Sequence, residues 1–154
     1  MENSGLGARV RSALIWALTT ALFAVAFALQ DVLTAEAPTA AGFFGTAILG
    51  VCHALGGAIA GFLLAGLFGR NGAAGWIMAL VGGVAVVLLG GLFGGAFAAI
   101  YGTVTGTADL TVDLIRIGLG AVTAPLAIAE GPALALLWIL SAIVAHLTCA
   151  KARA

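Results

Sequence analysis

Four long apolar stretches alternate with short polar gaps along the chain, at about residues 12–33, 43–68, 75–100 and 133–150. A helix rises about 1.5 Å per residue and a bilayer core is about 30 Å thick, so roughly 20 mainly apolar residues make one crossing. Each stretch is therefore expected to be a membrane-spanning helix. The first and last are the shortest, and Arg11, Lys151 and Arg153 at their ends can snorkel toward the headgroups. The run from Ala13 to Leu29 follows two arginines, as a secretory signal would, but it is long for a signal's apolar core and reads as a span.

Residues 107–131 break the pattern. There Asp109, Asp113, Arg116 and Gly120 recur at helical spacing, opposite Leu110, Leu114 and Ile117, with Ile115 and Leu119 on the flank. This predicts an amphipathic helix on the outer surface between the third and fourth spans, in which Asp113 and Arg116 are spaced to pair. The following apolar segment contains Pro125 and ends at Pro132, which favours an interfacial or re-entrant stretch over a fifth crossing.

The charges sort by gap, with Glu2 and Arg116 as the two exceptions. Arg9 and Arg11, then Arg70, then Lys151 and Arg153 fall in alternate gaps from Asp31 and Glu36, and from Asp109, Asp113 and Glu130. Basic residues are retained on the cytoplasmic side, so both termini are expected in the cytoplasm, with an acidic outer rim of Asp31, Glu36, Asp109 and Asp113. Trp16, Trp76, Tyr101 and Trp138 lie near the expected span ends, where amphipathic rings favour the interface.

Composition agrees with a bilayer as solvent: of 154 residues, 63% are hydrophobic and 8% charged, which leaves too little polar surface for a water-soluble globule. The net charge is zero and the basic residues form no patch, so nucleic-acid binding is excluded as a function class. The alanine and glycine richness is compatible with a bacterial genome of high GC content, which makes the inner membrane the expected location.

Three groups of residues are candidates for function. Gly57 and Gly61 on the second span, and Gly90, Gly91, Gly94 and Gly95 on the third, fit close helix packing, because small residues let backbones approach where lipid supplies little hydrophobic force between helices. His53 and His146 fall roughly 15 and 20 Å from the outer ends of their spans, so they are expected to face each other near mid-membrane as ligands of a haem or, singly, of a chlorophyll-type pigment. The bland alternative is a hydrogen bond within the membrane domain, to Thr46, Ser141, Thr148 or a backbone carbonyl. Cys52 and Cys149 adjoin the histidines, but a depth offset of roughly 9 Å argues against a tetrahedral metal site or a disulfide. No nucleophile, base and acid are brought together by a motif, so no catalytic residue and no metal set is assigned.

The expected architecture is all-α: one integral-membrane domain over residues 1–154, a four-helix bundle with the surface helix between its last two spans. The expected function is that of a non-enzymatic accessory or structural subunit, packing through its glycine-rich faces against copies of itself or other membrane subunits. The alternatives are a haem- or pigment-binding electron-transfer or light-harvesting subunit, and a small channel or transporter.

Overall fold

The computed structural model describes residues 2–34, 39–107 and 109–153; side chains at 2–4, 31, 123, 124, 127 and 130 are outside the described set. Glu36 and the side chain of Asp31, two members of the expected acidic rim, therefore lie outside the described residues.

The described chain is all-helical. Its elements are α1 (Glu2–Thr34), α2 (Ala40–Leu63), a short 3-10 extension of α2 over Leu64–Leu67, α3 (Gly72–Val104), α4 (Leu110–Glu130) and α5 (Pro132–Arg153). Four helices, α1, α2 with its extension, α3 and α5, are long and apolar enough to cross a membrane. Local chemistry sets the ends. Thr39 Oγ1 accepts from Gly42 N (3.1 Å) to start α2, and Asp109 Oδ1 accepts from Thr111 N (2.9 Å) and Val112 N (3.0 Å) to start α4. Pro132 opens α5, where a missing N–H has no cost. At the turn after α2, Gly69 has φ +73° and approaches the backbone of Cys149 and Ala150, so a side chain there would be both strained and obstructed.

Small residues decide the helix contacts. A Cβ on Gly56 would strike the carbonyl of Gly90, one on Gly57 would strike Thr20 and Trp16 O, and one on Gly61 would lie 2.8 Å from Ser12 O. These glycines seat α2 between α1 and α3. On the other side of α3, Gly91 meets the backbone of Gly120, and a Cβ on Gly95 would lie 2.6 Å from Arg116 O. Glycines on both sides of α3 thus hold α2 and α4 against it. Hydroxyls add directional links: Thr20 Oγ1 lies 2.7 Å from His53 O and 2.8 Å from Trp16 O, and Thr19 Oγ1 donates to Ser141 Oγ (2.8 Å) to tie α1 to α5.

The two chain ends lie together. Arg11 Nη1 donates to Thr148 O (3.2 Å), Cys149 Sγ to Ala8 O (3.3 Å), and Arg153 Nη2 to Ala65 O (2.7 Å). Arg9 sits 5.4 Å above the ring of Phe62, and Arg70 Nε donates to Gly66 O (3.0 Å). We call this the basic end. The C-terminal ends of α1 and α3 and the N-terminal ends of α2 and α4 mark the far end.

Trp16 departs from its expected interfacial place. It is 0% exposed, packed 5.8 Å from Phe68 and against Gly83. The reason is the length of α1: the helix begins at Glu2, not near residue 12, so position 16 lies well inside it. Trp76 and Tyr101 are exposed, and Trp138 is half-buried.

Candidate functional site

The helix expected on the outer surface packs along α3 instead. Gly102 lies near Asp113 and Arg116, Gly95 near Arg116 and Ile117, and Gly91 near Gly120 and Ala121, so α4 runs antiparallel to α3 from its far end to its middle. The helical stripe read from the sequence is present, but its direction is reversed. Asp113 is 8% exposed and Gly120 is buried, whereas Leu110, Leu114, Ile115, Leu119, Val122 and Leu126 are exposed. Asp113 and Gly120 face the protein and the apolar side faces outward, while Asp109 and Arg116 stay exposed. The helix also continues through Pro125 to Glu130, because the proline removes only one ladder bond and the remaining turns persist on both sides.

The docking of α4 buries the Asp113 carboxylate and leaves the Arg116 side chain 46% exposed. Arg116 Nη1 donates to Asp113 Oδ1 at 3.1 Å, the pairing that their spacing predicts. Asp109 is engaged as the cap of α4. Of the expected rim, Asp113 is thus a buried ion-pair partner, and Asp109 is an exposed residue that caps α4 through Oδ1.

Arg116 lines a half-open chamber of about 470 Å³ at the far end, bordered by α1, α2, α3 and α4. Phe27 and Ala28 come from α1; Phe44, Gly45, Ile48, Leu49 and His53 from α2; Gly95, Ala98, Tyr101 and Gly102 from α3; and Leu119 and Gly120 from α4. Gly45 leaves open space where a Cβ would stand, and Gly95 and Gly120 let α3 and α4 approach closely enough to form the adjoining wall. The walls are mostly apolar, with Arg116, Tyr101, Thr107 and His53 as the polar exceptions.

His53 is wedged against Gly94, whose Cβ would lie 2.8 Å from the imidazole Cγ. Its Nδ1 is 3.0 Å from Leu49 O, and since a carbonyl only accepts, Nδ1 carries the proton. A neutral ring then has Nε2 as an acceptor, and this buried atom has no partner among the described residues. The ring borders both the chamber and a second void of about 10 Å³ beside Thr20, Val87 and Gly91.

His146 is elsewhere. Its Nδ1 accepts from Gly69 N (3.2 Å), and its ring lies 4.3 Å from that of Trp76. Trp76 and Gly94, the α3 neighbours of the two histidines, are about five turns apart, roughly 27 Å at about 1.5 Å per residue. The expected facing pair is therefore corrected: one metal cannot be bridged by these imidazoles. The depths mislead because α5 starts directly after α4 at Gly131, so counting from a shared outer rim does not give its register. Cys52 and Cys149 are free and buried, and among the described residues no group of three or more His, Cys, Asp or Glu could hold a metal ion.

The chamber was not foreseen from the sequence. Gly120 in the polar stripe was the available signal: a glycine among charges on one helix face suits backbone contact better than a wetted surface. Compared with family models, curated proteins and solved structures, the chain matches none of them.

Proposed function

We propose that this is a small, non-enzymatic multi-pass membrane protein of channel or transporter type, whose working part is the far-end chamber. The inverted face of α4 carries this reading. A helix resting on a membrane surface turns its charges to water, whereas a helix that lines a polar space inside the bilayer turns them inward and gives its apolar side to lipid. Asp113, 8% exposed and paired with a half-exposed Arg116 on the chamber wall, points the second way, and an ionisable group held inside a membrane protein marks a ligand or ion pathway.

In this reading α1, α2, α3 and α5 form the membrane bundle and α4 is a shorter helix inserted from the far side. The basic end, with Arg9, Arg11, Arg70, Lys151 and Arg153, is the cytoplasmic side of a bacterial inner membrane, since Lys and Arg are retained there. The glycines serve the chain's own helix contacts. Further copies or other subunits would meet the protein through its outward Leu, Val and Ile side chains.

The test is flux in proteoliposomes over a panel of small ions and solutes, for the full chain and for Ala98→Trp, which fills the chamber from α3. Helix content and thermal unfolding check that the variant folds. Solute movement above protein-free vesicles, lost in folded Ala98→Trp, is the expected result; flux equal in both proteins would remove the chamber from the function.

A further inference from the structure

We infer that the chamber takes an amphiphile with an anionic head, a carboxylate or phosphate monoester on an apolar body, and that Arg116 anchors the head. The inference deepens the chamber reading and rests on it. A volume of about 470 Å³ is in the range of small-molecule sites, roughly 300–1,000 Å³, which are mostly apolar with a few placed polar groups. Phe27, Phe44, Ile48 and Leu119 supply the apolar wall. At the deep end His53, 6% exposed and with Nε2 unpartnered, forms the floor.

The sign of the head follows from the charges. Arg116 is the cation in the chamber wall, and no carboxylate is among the wall residues described. Asp113, its partner, is buried and holds the guanidinium through Nη1, while the Arg116 side chain stays 46% exposed. A guanidinium carries five N–H donors in a planar fork, so one contact to Asp113 leaves donors able to grip two oxygens of a carboxylate or phosphate. Tyr101 and Thr107 bring hydroxyls to the same end of the chamber. A cationic head would meet Arg116 with no compensating acid in the wall, and a wholly polar anion would leave the apolar wall without a partner.

Binding to the full chain in nanodiscs of zwitterionic lipid tests this, with dodecanoate, dodecyl phosphate, dodecyltrimethylammonium and inorganic phosphate as probes. The two anionic amphiphiles are expected to bind saturably, about tenfold or more weaker to Arg116→Gln than to the unaltered chain, with Arg116→Lys between because it keeps the charge but loses the fork. Folded Ala98→Trp should bind neither. Equal binding of dodecyltrimethylammonium, or dodecyl phosphate binding unchanged in Arg116→Gln, overturns the proposal. Inorganic phosphate binding as tightly as dodecyl phosphate also overturns it, in favour of an aqueous anion. Amphiphile binding without any solute flux would sustain this inference while sinking the transport reading; flux sensitive to Ala98→Trp without amphiphile binding would do the opposite.

Discussion

Gly91 and Gly120 meet backbone to backbone, leaving no room for a Cβ on either. That contact fixes α4 against the middle of α3, and with it the wall of the chamber that carries Arg116.

Substitution at this crossing should therefore differ sharply from substitution nearby. Gly91→Ala would press a methyl group on the carbonyl of Gly120, which is backbone and cannot rotate away, at a cost of about 1–3 kcal/mol. Gly118 has nothing within 4 Å of its would-be Cβ, so Gly118→Ala should be neutral or stabilise by about 0.5–1 kcal/mol through helix propensity. Reversible unfolding in mixed micelles measures both. Equal effects of the two would mean that α4 does not dock at Gly91.

The joined chain ends offer a chemical check. A Cβ on Gly7 would lie 3.9 Å from Cβ of Ala152, inside the roughly 3.5–4.5 Å that a disulfide requires. Gly7→Cys with Ala152→Cys, in a background where Cys52 and Cys149 are serine, should cross-link on mild oxidation in isolated membranes and migrate faster on non-reducing gels. Absence of the cross-link would separate the ends and remove the basis for placing both on one side.

Because the histidines sit against distant parts of α3, they should act independently. His53→Ala and His146→Ala are expected to give stability effects that add within about 0.5 kcal/mol in the double variant. Added haemin should give no spectrum of an iron held by two imidazoles. A strongly non-additive pair, or such a spectrum, would return the two rings to a shared site.

The four long apolar helices were legible in the sequence because apolar length is a property of a single segment. The Asp113–Arg116 pair was legible for the same reason: a spacing of three residues is local. What failed were the inferences on the facing of α4 and the depth of His146, which needed the relative placement of two elements, whereas the glycines expected to pack helices do lie at helix contacts. The polar stripe of α4 has the same period whether it faces water or α3, so periodicity could not orient it; Gly120 could have. The depth of His146 depended on where α5 begins, and that depends on how far α4 has already descended. Trp16 was assigned to a span end that the helix, continuing to Glu2, does not have. The chamber itself lies between residues of four helices, α1 to α4, that only the fold brings together.

The contacts that close the fold also order its biogenesis. Helices α1, α2 and α3 are neighbours in sequence and can pack as they leave the ribosome, but the chamber then has an open side. Arg116 closes it only once α4 has emerged, and Thr19 finds Ser141 later still, when α5 follows. A nascent chain arrested after α3 would thus expose Gly91 and Gly95 to lipid, an unfilled slot for quality control to detect.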